Sequence, residues 1–132
     1  GRDPERLDLA SNILLSVDRD ARAARDAVRR VLAYYIHRVE PVVLSTSGAD
    51  PDALQRVRQT VLESGDDAGA RRVTDAQIDT FAAAGDPDHV ADRLRAYLDA
   101  GVQGVLAWHI IGPDPARSLQ LLAEVVRPRV FD

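Results

Sequence analysis

The segment Phe81–Glu124 constrains the fold of this chain more than any other part of the sequence. It predicts a short strand, a sharp turn, a capped helix ended by glycine, a buried strand, a second turn and a second capped helix. Strand–helix units in tandem imply parallel strands joined by helical crossovers. Both turns follow the carboxyl end of a strand, where open α/β sheets and α/β barrels place their ligands. We therefore predict an α/β fold with its functional residues near those turns.

The amino-terminal part of the chain predicts a further unit of the same kind. An apolar run from Leu9 to Val17 indicates a buried strand, and Asp18 follows it as the expected cap of a helix. Apolar residues then recur at three- and four-residue spacing, which predicts a helix from Arg19 to about His37. The chain is thus expected to contain three βα units, each with a right-handed crossover.

Residues 39–79 predict a helical insertion between the first unit and the second. Within it, Asp50 and Pro51 supply the cap and the first position of a helix that ends near Ser64. Residues 65–70 are small and polar, and we expect a loop there. The insertion therefore separates the first strand from the other two by a long stretch of helix.

Four features complete the pattern towards the carboxyl end. Thr74 and Gln77 match a capping box, and Thr80–Ala84 is expected to form a short strand of small side chains. Val102–Ile111 is the most apolar run, bounded by glycine on both sides, and it predicts a buried strand. Arg127-Pro128 is expected to end the last helix, because proline cannot donate the next helical hydrogen bond.

The composition excludes several classes of function. The net charge of −4 and a pI near 5.3 argue against nucleic-acid binding. The chain has no cysteine and no lysine, which excludes a disulfide, a thiol nucleophile, a Schiff-base lysine and a P-loop lysine. No apolar run approaches the roughly 20 residues that span a bilayer, and no signal peptide is visible. These features predict a cytoplasmic protein without a membrane or nucleic-acid partner.

Four segments of this chain, each with characteristic turn or junction residues, follow one another in a fixed order. They are Gly1-Arg2-Asp3-Pro4 with the strand and the alanine-rich helix that ends in Tyr34-Tyr35, Gly85-Asp86-Pro87 with the helix to Tyr97, Asp99-Ala100-Gly101-Val102, and the final strand with Gly112-Pro113-Asp114. This ordered set resembles the carboxyl-terminal part of the luciferase-like monooxygenase superfamily. That superfamily includes bacterial luciferase, flavin-dependent monooxygenases, and deazaflavin-dependent dehydrogenases and reductases. The resemblance covers nearly the whole chain.

The resemblance implies a TIM-type (β/α)8 barrel, of which this chain supplies roughly the last three units. A typical barrel has about 250 residues, whereas this chain has 132 and lacks methionine, as expected of a segment of a longer protein. The implied activity of the whole protein is that of an oxidoreductase. It would transfer hydride to or from a small organic substrate, or monooxygenate it, with the deazaflavin coenzyme F420 or FMN as the cofactor.

The alternative is a catalytically inert, truncated fragment. Three parallel strands would leave the barrel-side face of the sheet and both of its edges uncovered. Such a fragment is expected to self-associate through its open sheet, and a homo-oligomer is accordingly the predicted state.

Candidate site residues lie at the two turns. Free N–H groups at the helix start beside Gly85 and Asp86 would bind a cofactor through a phosphate or another anionic group, although Asp86 would equally satisfy those donors as a plain helix cap. Trp108 and His109 are expected to point to opposite faces of the last strand. An inward His109 would bind substrate or assist proton transfer, and its alternative role is that of a hydrogen-bonded structural histidine.

A third candidate is the polar loop of Ser45, Thr46 and Ser47. The resemblance implies that this loop lies near the mouth of the active site and contacts substrate, and the alternative is an ordinary loop. His89 follows two aspartates in a first helical turn, but no second histidine is near it in the sequence. We therefore expect no metal site.

Overall fold

The computed structural model describes residues 8–109 and 111–131. These residues form three parallel strands, β1 (Ala10–Val17), β2 (Ala82–Gly85) and β3 (Gly104–Trp108). The helices are α1 (Ala21–Arg38), α2 (Pro41–Ser45), α3 (Pro51–Ser64), α4 (Asp66–Ala70), α5 (Asp75–Phe81), α6 (Pro87–Asp99), α7 (Pro115–Leu121), a π-helical turn (Leu122–Val126) and α8 (Arg127–Phe131). The α/β class and the parallel direction of the predicted strands are confirmed. Gly1–Pro4 and Ile110, which entered the sequence argument, lie outside the described residues.

The central strand of the sheet is β1, because the strand order is β2-β1-β3. Val17 of β1 is paired with Gly85 of β2, and Leu14 is paired with Trp108 of β3. The connection through α1 joins neighbouring strands, whereas the connection through α6 passes over β1 to reach the opposite edge. Successive strands of a barrel would instead place β2 between β1 and β3.

Helices cover both faces of β1. Leu14 shares a buried cluster with Leu32 of α1 and with residues of α3. Leu15 belongs to a second cluster, with Leu94 of α6 and Val126 of the π-helical turn. Because side chains alternate along a strand, these clusters lie on opposite faces.

The covered faces bear on the alternative of a self-associating fragment. All four residues of β2 are buried, and so are the last five of β1. Over β1 and β2, the open face expected of three strands is therefore covered by helices, whereas β3 is largely uncovered, with Leu106 57% and Trp108 44% exposed. Self-association through an open sheet face is not favoured by this arrangement.

The local signals for the start of α3, the start of α5 and the end of α6 are confirmed. The Asp50 side chain accepts a hydrogen bond from the backbone N–H of Asp52 at 3.0 Å, as expected of the cap of α3. Both hydrogen bonds of the capping box between Thr74 and Gln77 are present. Gly101 follows α6 with φ +95°, a conformation that glycine adopts without steric cost.

Residues 65–70 are not a loop, because they include the helix α4. Gly69 of this helix is buried against α3, and a Cβ added there would lie 2.2 Å from Cγ2 of Val61. The missing side chain permits this close approach of the two helices. A small polar sequence, which predicts a loop by composition, is therefore made helical by packing.

The last helical segment does not end before Pro128. The π-helical turn precedes it, and the N–H of Arg127 donates to the carbonyl of Leu122. Proline has no N–H to donate, and its ring clashes with an ordinary preceding turn. We attribute the continuation to the wider π turn, which leaves room for the ring.

Two strand boundaries differ from the prediction. The helix α5 runs through Phe81, so β2 begins at Ala82 and extends to Gly85. The last strand was expected over Val102–Ile111, but β3 covers only Gly104–Trp108. Within the described ranges, no helix is long and apolar enough to cross a membrane.

Candidate functional site

The carboxyl ends of the three strands are staggered. Asp18 and Asp86 follow β1 and β2 at the same level, because Val17 is paired with Gly85. His109 follows β3, which ends where Trp108 is paired with Leu14, three residues before the end of β1. Asp86 and His109 also lie beyond opposite edges, separated by two strand spacings of about 5 Å each. The predicted cofactor and catalytic residues therefore lie apart, beyond opposite edges of the sheet.

Asp18 is a buried carboxylate at the end of the central strand, and it is not the cap of α1. Its Oδ1 accepts a hydrogen bond from the backbone N–H of Asp20 at 3.0 Å. Its Oδ2 accepts one hydrogen bond from Nε of Arg117 at 3.0 Å and another from Nη2 of the same guanidinium. The residue is 3% exposed. The cap is Asp20, whose side chain accepts the N–H groups of Arg22 and Ala23.

The surroundings of Asp18 favour its charged form. The backbone N–H of Asp20 holds the pKa of the Asp18 carboxyl below its usual value, and Arg117 adds to this effect against the opposing effect of burial. The partners Asp18 and Arg117 are 99 positions apart in the sequence. No local spacing could have predicted the pair. The one signal in the sequence was the position of a carboxylate directly after a buried strand, where a charged group needs a partner.

The loop before α7 closes tightly on the end of β1. The Ser118 hydroxyl donates to the carbonyl of Val17 at 2.7 Å, and the N–H of Val17 donates to the carbonyl of Ile111 at 3.3 Å. Gly112 lies between these groups, with φ +143°. This end of the sheet is therefore filled by protein atoms and leaves no room for a ligand at Gly112.

The turn at Gly85 and Asp86 is a capped helix start. The Asp86 side chain accepts the backbone N–H of His89 at 2.8 Å, so a carboxylate already occupies a donor that an anion would use. A Cβ at Gly85 would lie 3.0 Å from Cδ2 of His89, so the imidazole packs directly over this glycine. The capping alternative is thus realised, and cofactor binding at this turn stays a prediction.

The free edge of β2 is covered by charged side chains that the sequence did not reveal. Nη1 of Arg25 donates to Oδ1 of Asp79 at 2.8 Å and to the carbonyl of Ala84 at 3.4 Å. Nη2 of Arg93 donates to the carbonyl of Asp79 at 2.7 Å. The hydrogen bond from Arg25 lowers the pKa of Asp79 and raises that of Arg25 itself. Arg25 therefore occupies one backbone acceptor on the free edge of β2, and that carbonyl is no longer available to pair with another strand.

His109 lies in an aromatic environment on the α1 side of the sheet. Its ring centroid is 5.0 Å from that of Trp108 and 6.0 Å from that of Tyr35, and Trp108 is 5.0 Å from Tyr35. The opposite faces expected of Trp108 and His109 are therefore wrong. The strand ends at Trp108, and His109 turns back with φ +69°, which is uncommon for a residue with a side chain.

A cavity of about 300 Å³ opens beside this histidine, lined by Arg30, Val31, Tyr34, Asp66 and His109. It combines guanidinium, phenol and imidazole groups with a carboxylate. Nε of Arg30 donates to Oδ1 of Asp67 at 2.7 Å, which restrains the guanidinium. The cavity can thus offer both hydrogen-bond donors and an acceptor to a small ligand.

Ser45, Thr46 and Ser47 direct their hydroxyl protons into their own helix end. Each hydroxyl donates to the backbone carbonyl three residues earlier, at distances of 2.7, 2.8 and 2.6 Å respectively. Their oxygens remain able to accept hydrogen bonds. Ser45 also lines a separate cavity of about 260 Å³ with residues of α2 and α3. Substrate contact by these three residues stays a prediction.

Comparison with known proteins identifies the family. The sequence matches the luciferase-like monooxygenase family over residues 1–104. The chain belongs to this family.

Among curated members, it is similar to the 5,10-methylenetetrahydromethanopterin reductase of Archaeoglobus fulgidus, with 36% identity over 98% of the chain and 40% of the relative. It is also similar to the enzyme of the same name from Methanolobus tindarius, with 32% identity over 96% of the chain and 39% of the relative. The chain therefore spans about two-fifths of the length of these family members.

A solved structure supports the same assignment. The coenzyme F420 dependent tetrahydromethanopterin reductase from Methanopyrus kandleri matches the chain with a TM-score of 0.87 and 28% identity. The match covers 96% of this chain and 36% of that one. The expected fold class, α/β with βα units that match part of a TIM-type barrel, is confirmed, although the order β2-β1-β3 is not the sequential order of barrel strands. Among the described residues, no three His, Asp or Glu side chains group as metal ligands.

Proposed function

We propose that this chain is part of an F420-dependent oxidoreductase that transfers hydride to or from a small organic substrate. One observation carries the proposal: the chain belongs to the luciferase-like family, and the relatives it matches over nearly its whole length are reductases. The solved relative is named as dependent on coenzyme F420, which favours F420 over FMN. Deazaflavins support hydride transfer, so a reductase or dehydrogenase is favoured over a monooxygenase.

The two candidate cofactor contacts in this chain differ in how well they suit coenzyme F420. The aromatic side chains around His109 suit a planar ring, because rings stack on aromatic faces. The helix start at Gly85 and Asp86 suits a phosphate poorly, because the Asp86 carboxylate repels an anion. A carboxylate accepts hydrogen bonds from hydroxyl groups, and we expect any cofactor contact of Asp86 to be of that kind.

The proposed role of His109 is to bind the substrate or to hold a proton beside the reacting groups. Its imidazole lines a cavity and is exposed, which meets the requirement that an acid or base reach its partner. The bound cofactor would supply the hydride chemistry, and the protein would orient it and its partner. Ser45, Thr46 and Ser47 are proposed to accept hydrogen bonds from substrate.

The test is a titration of the purified chain with coenzyme F420, followed by the fluorescence of the coenzyme, with FMN in a parallel series. We expect saturable binding of F420 and weaker binding of FMN. In the variant His109→Asn, binding should weaken, whereas His37→Asn, which changes a histidine at the end of α1, should bind as the wild type does. Asparagine is chosen because it tolerates a positive φ. Tighter binding of FMN would contradict the proposed cofactor, and no saturable binding of either would contradict the cofactor contacts proposed for the residues of this chain.

A further inference from the structure

A polar cavity of about 370 Å³ opens between α3 and the turn that follows α4. It is lined by Thr60, Ser64, Ala68, Arg71 and Arg72, so every lining residue but the alanine is polar or charged. Ligand pockets of this size are as a rule lined mostly by apolar side chains. A lining of hydroxyl and guanidinium groups therefore disfavours an apolar ligand and favours an anion.

The two arginines of this cavity lack the ion pairs that other arginines of the chain form. Both are exposed, and neither forms an ion pair with a carboxylate in the part of the chain that the structure describes. The carboxylates that directly precede two lining residues have other partners. Glu63 accepts a hydrogen bond from Nε2 of Gln59 at 2.8 Å, and Asp67 accepts one from Nε of Arg30 at 2.7 Å. Two adjacent positive charges thus line the cavity without a carboxylate partner among these residues.

The end of α4 offers an alternative role for these arginines, because cations are favoured at the carboxyl end of a helix. However, α4 has only five residues, and few peptide dipoles add up along it. Its last carbonyls are also satisfied by the turn itself. The N–H of Arg72 donates to the carbonyl of Gly69 at 2.9 Å, and the N–H of Val73 donates to that of Ala70 at 3.2 Å. The helix end therefore does not account for two guanidinium groups beside one cavity.

The turn that carries the arginines is anchored on both sides. Before it, Gly69 is buried against Val61 of α3. After it, Val73 is 4% exposed and belongs to the buried cluster that includes Leu32 of α1. The carbonyl of Val73 also accepts a hydrogen bond from Nη1 of Arg29. Because the backbone beneath the two side chains is held in place, less conformational entropy is lost when a ligand binds.

We propose that this cavity binds a small anion that carries a phosphate group. Guanidinium groups bind phosphate oxygens through paired N–H donors, and the hydroxyl of Ser64 can donate a further hydrogen bond. The hydroxyl of Thr60 donates to the carbonyl of Arg56 at 2.8 Å, so Thr60 contributes only an acceptor. A phosphate monoester has a charge of about −1.5 to −2 near neutral pH, which matches two arginines better than the single charge of a carboxylate does.

The proposed anion site is separate from the site of the proposed function. Its cavity shares no lining residue with the cavity beside His109. It lies instead within the helical insertion between β1 and β2.

The probes are inorganic phosphate and glycerol 3-phosphate, titrated at constant ionic strength into the isotope-labelled chain and followed by heteronuclear NMR. The signals are the backbone amides and the Nε–H groups of the arginines. Acetate in a parallel series measures the effect of a single negative charge. We expect saturable shifts confined to the segment 60–72, and tighter binding of both phosphates than of acetate. Tighter binding of the ester than of free phosphate would identify an esterified ligand, and the reverse order would identify the free anion.

A double variant tests the contacts. Arg71→Gln with Arg72→Gln should weaken phosphate binding about tenfold or more, because hydrogen bonds from charged groups contribute that order of affinity. The matched control is Arg19→Gln with Arg22→Gln, which removes the same charge at two positions around the start of α1. The control should bind phosphate within about twofold of the wild type, since distant exposed charges are screened. If the first double variant failed to fold by circular dichroism, each of its single variants should still weaken binding several-fold.

Three results would overturn the proposal. An equal loss of affinity in the two double variants would show that phosphate responds only to the net charge of the chain. Shifts spread over all exposed arginines would show the same. Binding of acetate as tight as that of phosphate would refute the assignment of ligand class. None of these results bears on the proposed function, because coenzyme F420 takes no part in these titrations.

Discussion

Replacing Gly112 with alanine places a methyl group where the structure leaves no room for one. The added Cβ would lie 1.9 Å from Oγ of Ser118, 2.6 Å from the carbonyl oxygen of Val17 and 2.9 Å from Cβ of Ser118. The hydroxyl of Ser118 is buried and donates to that same carbonyl at 2.7 Å. The methyl group must therefore displace both partners of a buried hydrogen bond at the end of β1.

The expected loss of stability combines three costs. A side chain at φ +143° costs about 1–3 kcal/mol, because this region is almost restricted to glycine. A buried hydrogen bond that is broken and left unsatisfied costs roughly 1–3 kcal/mol, and overpacking adds a cost of about 1–3 kcal/mol. These effects share atoms and are not fully additive, so we expect a loss of about 4–6 kcal/mol in the free energy of unfolding. Since small domains are stable by roughly 5–15 kcal/mol, Gly112→Ala should remove a large part of the total stability.

The assay is urea denaturation followed by far-ultraviolet circular dichroism, with Gly101→Ala as the control. Gly101 has φ +95°, and no atom lies within 4 Å of its added Cβ, so that variant measures backbone strain alone, about 1–2 kcal/mol. Combining Gly112→Ala with Ser118→Ala removes the shortest contact, and the double variant should lose less stability than the sum of the two single variants. A single weak contact is worth about 1 kcal/mol. If the two variants Gly112→Ala and Gly101→Ala lost free energies of unfolding that differed by less than this, the packing deduced at this end of the sheet would be refuted.

Two further predictions concern Asp18 and Thr74. Asp18→Asn should lower the free energy of unfolding by about 1–3 kcal/mol at neutral pH, through its lost charged hydrogen bonds to Asp20 and the half-exposed Arg117. Because folding lowers the pKa of Asp18, its stabilisation is complete above the unfolded pKa and is lost as the pH falls through the folded pKa. Urea titrations should therefore give similar free energies of unfolding for wild type and variant in acid. A difference between them that is equal at neutral and acid pH would contradict this role of Asp18. Thr74→Ala should cost about 1 kcal/mol by removing the cap of α5, and an unchanged melting temperature would show that the capping box contributes nothing.

The sequence was most informative where structure depends on neighbours along the chain. Asp50 with Pro51 opens α3, Thr74 opens α5, and Gly101 follows the end of α6, all as their spacing predicts. Each of these signals acts within one helical turn, through a side chain and the backbone N–H groups beside it. The direction of the strands follows in the same way, because a helix between two strands returns the chain to its starting side.

The sequence was least informative where two distant segments meet. Asp18 looks like a helix cap until Arg117, 99 residues away, is brought against it. His109 looks like part of a strand, yet the strand ends one residue earlier and its ring turns onto Tyr35. In both cases the local pattern is compatible with two outcomes, and a long-range contact decides between them.

The residues alone therefore determined the class of most elements, their order, most of the helix caps and the family to which the chain belongs. Only the tertiary structure decided that β1 is central, that helices cover both of its faces, and that four aromatic rings gather beside one cavity. The physical reason is that caps and turns are satisfied within a few residues. Strand order depends instead on which arrangement removes the most apolar surface from water over the whole chain, and no short stretch of sequence contains that comparison.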